Sequence, residues 1–101
     1  MPLVKVASRA MLERFGLTEH LMGDDRVAIC RVGTEIHAVD GLCPHRGGPL
    51  AQGALHGRML VCPWHAWEFD CVTGESDFLP AAKLKTYPVT VDGDDVLIEI
   101  E

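Results

Sequence analysis

Two short segments hold the residues of this chain that could do metal chemistry. Cys43-Pro44-His45-Arg46-Gly47-Gly48 and Cys62-Pro63-Trp64-His65-Ala66-Trp67 each carry one cysteine and one histidine. The pair is two positions apart in the first segment and three in the second, with residues 46 to 61 between the two halves. Two soft thiolates with two imidazoles suit tetrahedral zinc or an iron-sulfur cluster. Residue types alone do not choose between these. Pro44 and Pro63 follow the cysteines directly, where a fixed φ lowers the entropy lost when a loop is ordered. Gly47 and Gly48 permit tight backbone turns, so that amide N–H groups can point at sulfur.

The ordered pattern C-x-H, an intervening stretch and C-x-x-H, matched by Cys43, His45, Cys62 and His65, resembles the Rieske iron-sulfur proteins. The likeness runs past the ligands: Cys43 through Leu50 (CPHRGGPL), Gly53, Cys62 through Phe69 (CPWHAWEF), Asp70 and Thr73-Gly74 are similar to the soluble Rieske ferredoxins. It implies a small antiparallel β-sandwich with a cluster-binding insert, and one 2Fe-2S cluster in which Cys43 and Cys62 hold one iron and His45 and His65 the other. It also implies a third loop, Asp77-Phe78-Leu79-Pro80, that covers the cluster. The chain departs from the ferredoxin pattern at Ala66, where glycine is common.

Charge counting shows what the histidines would do. Two ferric ions, two sulfides and two thiolates sum to zero, and reduction takes the centre to −1; four thiolates would start it at −2. Adding an electron to a neutral centre in a low-dielectric setting costs less, and Rieske potentials accordingly lie at roughly −150 to +300 mV against about −400 mV for plant-type clusters. High-potential relatives carry an extra cysteine in each loop, joined as a disulfide, and a serine and a tyrosine that hydrogen-bond the sulfurs. Gly48 and Trp64 stand at the cysteine positions here, and Trp67 and Phe69 at the serine and tyrosine positions. The resemblance therefore implies a potential at the low end of the range.

Elements that can position two such loops are legible on either side of them. Leu3-Val4-Lys5-Val6 suits a short strand, and Ser8 to Gly16 a helical turn or two, with Ser8 as N-cap, Gly16 as stop and Met11, Leu12 and Phe15 on one apolar face. Leu17–Met22, Arg26–Val32 and Glu35–Val39 read as three antiparallel strands, turned at Gly23-Asp24-Asp25 and Gly33-Thr34. From about 41 to 82 prolines and glycines concentrate; short strands over Met59–Val61 and Ala66–Cys71 would lead into and out of the second segment. A last hairpin joins Lys85–Val91 to Val96–Ile100 around Asp92-Gly93-Asp94-Asp95, with Val96, Ile98 and Ile100 on one face. The expected class is all-β, one domain over 1–101 with its insert at about 41–82.

The balance of nine basic against fifteen acidic residues, net charge −6, argues against phosphate-driven nucleic-acid binding. No apolar run approaches the roughly 20 residues of a membrane span, and the start lacks the apolar stretch of a secretory signal, so the expectation is a cytoplasmic chain without a membrane partner. Cys30 and Cys71 are left over and read as small buried hydrophobes. His20, His37 and His56 match no ligand position. With full protein and sulfide coordination no iron would have an open site for substrate; the resemblance to the soluble Rieske ferredoxins implies a one-electron carrier passing electrons from a reductase to a terminal oxygenase. The alternatives are the small subunit of an assimilatory nitrite reductase, partnered by its large subunit, and a structural zinc module using the same four residues.

Overall fold

The computed structural model describes residues 3–22, 25–43, 48–64, 67–76 and 83–100. Ten strands and one short α-helix follow in order: β1 (Leu3–Ser8), α1 (Arg9–Phe15), β2 (Leu17–Met22), β3 (Asp25–Val32), β4 (Glu35–Asp40), a 3-10 turn (Leu50–Gln52), β5 (Ala54–His56), β6 (Met59–Val61), β7 (Glu68–Asp70), β8 (Thr86–Tyr87), β9 (Val89–Asp92) and β10 (Asp95–Glu99). They form three antiparallel sheets, ordered β1-β10-β9, β2-β3-β4-β8 and β5-β6-β7. The all-β class with an insert between β4 and β8 agrees with the sequence reading.

Strand β3 explains how the three sheets stack. Val27, Ala28, Ile29 and Cys30 are all buried, so this strand hides both faces. Successive side chains alternate across a sheet: Val27 and Ile29 pack with Val6, Ala7, Leu12, Ala38, Val96 and Ile98, whereas Ala28 and Cys30 pack with Val39, Cys43, Leu50, Leu60, Cys62, Phe69, Cys71 and Leu84. The middle sheet thus separates a scaffold core from a core that contains both loop cysteines.

Local signals set the turns. Ser8 accepts a hydrogen bond from the Met11 amide at 3.1 Å, and Gly16 closes α1 in the left-handed region with its N–H on the Leu12 carbonyl. Asp94, 84 residues away, adds a second cap: its carboxylate accepts from the Ala10 amide at 3.0 Å and its carbonyl from the Arg9 amide at 2.8 Å. Two-residue hairpin loops begin at Gly33, Gly57 and Gly93, each with φ near +62°, a conformation that glycine adopts without a Cβ penalty.

Three expectations are corrected. Of the apolar helix face only Leu12 is buried; Met11 and Phe15, one turn apart, face outward, and the Arg14 guanidinium sits 5.3 Å from the Phe15 ring centre. The strand expected over Lys85–Val91 is two strands in different sheets, β8 on β4 and β9 on β10. Pro88, which has no N–H to give a ladder, stands at the crossing, and its carbonyl accepts from the Glu99 amide at 3.0 Å. The insert also contains β5, which pairs with β6, and the strand expected over Ala66–Cys71 runs from Glu68 to Asp70.

Candidate metal centre

Both cysteine loops are closed at the base in the same way. Cys43 follows β4 by way of Gly41 and Leu42, and its amide donates to the Gly48 carbonyl at 2.9 Å; just outside, Leu42 bridges Pro49. Cys62 follows β6, and its amide donates to the Trp67 carbonyl at 2.8 Å; just outside, Val61 pairs with Glu68. In each loop the cysteine N–H meets the carbonyl of the residue five positions on. The two loop bases are therefore alike and are held by two different sheets.

The loop bases bring the two cysteines together. Cys43 and Cys62 are both 2% exposed, both free, and their thiols are hydrogen-bonding neighbours. Burial pushes the Cys62 thiol up, the Trp64 amide pulls it down with an N–H to sulfur bond of 3.4 Å, and the Cys43 thiol raises it again through hydrogen bonding and charge. Two thiolates cannot share so buried a place without a positive centre between them. This donor set fits a metal or an iron-sulfur cluster that ligates both sulfurs. Among the described residues the amide aimed at sulfur belongs to Trp64, and not to Gly48.

Aromatic rings and one glycine pack around the two cysteines. A Cβ on Gly48 would stand 2.9 Å from Cys62 Sγ and 3.2 Å from two atoms of the Trp64 indole, so the first loop packs directly beneath the ring of the second. Where high-potential relatives bridge these two positions with a disulfide, an indole lies on a bare backbone here. Phe69 is fully buried among the same side chains and carries no hydroxyl, and Trp67 lies 6.4 Å from it, ring centre to ring centre. Below β7, the Asp70 carboxylate accepts from Arg58 Nε at 2.7 Å and from the amides of Val72 and Thr73, which fixes the turn leaving the second loop.

Of the four expected ligands the described residues include Cys43 and Cys62, which are brought together. His45 and His65 lie outside the described residues, as do Pro44, Arg46, Gly47, Ala66 and the covering loop from Asp77 to Pro80. His37, one of the three histidines set aside, hydrogen-bonds Glu35 at 2.8 Å. The sequence reading missed one association: Cys30 and Cys71 are both buried, as expected, but they also touch each other.

Comparison with known proteins adds an independent line. The Rieske 2Fe-2S domain family matches residues 3–88. The ferredoxin component of the naphthalene 1,2-dioxygenase system of Pseudomonas aeruginosa is 39% identical over 75 residues, 73% of this chain and 72% of that protein. The ferredoxin of carbazole 1,9a-dioxygenase from Nocardioides aromaticivorans IC177 superposes with a TM-score of 0.88 at 30% identity, covering 100% of both chains. A chain in a complex of reduced oxygenase and oxidised ferredoxin, also of carbazole 1,9a-dioxygenase, superposes with a TM-score of 0.85 at 25% identity over 98% of this chain and 97% of that one. With two buried cysteines facing each other from like-closed loops, and a family match over nearly the whole chain, the protein belongs to the Rieske 2Fe-2S domain family.

Proposed function

We propose that this protein is a ferredoxin that carries one electron at a time from a reductase to a terminal oxygenase, in the cytoplasm, as one domain over 1–101 with a cluster-binding insert at about 41–82. Cys43 and Cys62 hold one iron of a 2Fe-2S cluster, and His45 and His65 the other; the cluster supplies a single electron-accepting site. The observation that carries this reading is the pair of buried, facing thiols in a chain that superposes over its full length on a dioxygenase ferredoxin. The likeness to a ferredoxin chain seen together with its oxygenase supports the same direction of transfer.

The chain's own residues keep the electron transfer free of side chemistry. The closed loop bases fix the two sulfurs, Trp64 donates its amide to one of them, and Phe69 and Leu60 keep water from the protein side. Without a hydroxyl at 67 or 69 no side-chain O–H stabilises the reduced state at those positions, so the potential is low for a Rieske centre.

Anaerobic purification followed by metal and acid-labile sulfide analysis tests the reading. Iron and sulfide in equal amounts, and a reduced-state resonance spectrum of Rieske type that disappears in His45→Ala and in His65→Ala, is the expected result. Stoichiometric zinc in a colourless protein would overturn it, and a stably copurifying large subunit would replace the oxygenase partner with a nitrite reductase.

A further inference from the structure

We propose that Cys30 and Cys71 form a second redox site, a buried dithiol that a small disulfide oxidises to an intramolecular cross-link between the middle sheet and the sheet that carries Cys62. Cys30 sits inside β3, opposite Leu17 on one side and His37 on the other. Cys71 directly follows β7, with its amide on the Arg58 carbonyl at 2.8 Å. The two side chains are 0% and 1% exposed, free and packed in one buried cluster. Their strands share no ladder, since β3 and β7 belong to different sheets. A bond between them would tie the cluster-bearing layer to the scaffold covalently.

A route to the pair exists on one side. An open cleft of about 400 Å³ is lined by His37, Cys71, Val72, Tyr87 and neighbouring β8 and β9 residues, and Cys30 is not part of its wall. Cys71, although 1% exposed, is thus the cysteine that borders the cleft, and Cys30 stands behind it. The neighbouring Cys71 thiol and burial hold Cys30 in the protonated form, which makes Cys71, and not Cys30, the sulfur that starts the exchange. In the first step the Cys71 sulfur displaces one thiol from the small disulfide, forming a mixed disulfide. In the second the Cys30 sulfur attacks the Cys71 sulfur and releases the other thiol. Two cysteine thiols are oxidised, one small disulfide is reduced to two thiols, and the two cysteine protons leave with them.

The test uses the cluster-loaded protein and oxidised glutathione. After incubation, free thiols are alkylated under unfolding conditions and the peptides are mapped by mass spectrometry. A peptide linked through Cys30 and Cys71, an unchanged cluster absorption and a thermal midpoint raised by at least about 10 °C and restored by reductant are expected, because the bond closes a long loop in the unfolded chain. In Cys30→Ala the second step has no sulfur, so one glutathione should remain on Cys71. Full alkylation of both cysteines after oxidant, linkage of either to Cys43 or Cys62, or cross-linking only in step with cluster loss would overturn the proposal. An absent adduct in the variant, beside a linked wild-type protein, would overturn Cys71 as the first site of attack.

Discussion

Gly48→Ala is the most informative single perturbation of the metal centre. The added methyl carbon would lie 2.9 Å from Cys62 Sγ, about 0.5 Å short of ordinary contact, and 3.2 Å from the Trp64 indole, about 0.2 Å short. These two neighbours do not yield equally. Trp64 is 48% exposed and can swing outward. The sulfur is held from behind, because the Cys62 amide is bonded to the Trp67 carbonyl and the sulfur itself accepts from the Trp64 amide. Overpacking of this kind costs about 1–3 kcal/mol. For a chain of this size that is a fall in Tm of roughly 5–20 °C. Cluster bleaching at fixed temperature, followed by absorption, should accelerate in parallel, since the atom displaced is a proposed ligand. The double variant Gly48→Ala with Trp64→Ala then separates the two contacts: removing the indole relieves the smaller overlap and should restore less than half of the loss. A Gly48→Ala protein within about 0.5 kcal/mol of wild type with an unchanged bleaching rate would refute the packing, and full recovery in the double variant would refute the assignment of the strain to sulfur.

Asp70 sets a pH dependence. Burial raises its carboxyl, but the Arg58 hydrogen bond, the Val72 and Thr73 amides and the Arg58 charge hold it below the usual carboxylate range. The unfolded chain then takes up the proton first, so the stabilisation is complete above the ordinary value of about 3.9 and fades as pH falls through it toward the folded value. Asp70→Asn should lose about 1 kcal/mol at pH 7, with the gap to wild type closing below about pH 4 in thermal melts; a gap that stays constant to pH 3 would contradict this. Asp94→Ala removes the second cap on α1 and should cost about 1 kcal/mol while leaving the midpoint potential where it was, as voltammetry can check. Phe69→Tyr places a hydroxyl where high-potential relatives have one, and should raise the potential by some tens of millivolts; an unchanged or lower potential would separate the ring at 69 from the cluster sulfurs.

What the sequence made legible follows the range of the forces involved. Ser8 and Gly16 cap α1 through bonds three or four residues long, and Gly33 turns β3 into β4 within two, so each is written beside the structure that it makes. Cys43 and Cys62 stand out as candidate ligands by the same local logic, since metal-ligand spacing is a short-range pattern, and the fold buries them in one cluster. Lys85–Val91 failed for the complementary reason. Its alternation suits a strand, but nothing within it says that Tyr87 belongs beside Ala38 and Val89 beside Ile98. Asp94 capping α1 and Cys30 touching Cys71 join residues far apart in the chain, and no periodicity carries either.

The burial of β3 on both faces accounts for the way the centre is held. A strand exposed on one side would leave the insert resting on a single core, and any shift of the insert would move Cys43 against Cys62. Here Ile29 and Val27 anchor one face against Val96 and Ile98, on the strand that also clasps the chain's beginning through β1. Ala28 and Cys30 on the other face are small, which lets the layer with Leu60, Phe69 and both loop cysteines come close to the sheet. Cys43 hangs from the middle sheet through β4, and Cys62 from the third sheet through β6, so the distance between the sulfurs is the distance between two layers. Packing against β3 fixes that distance. The core beneath the loops therefore acts as part of the proposed metal centre, although its apolar side chains offer no ligand atom.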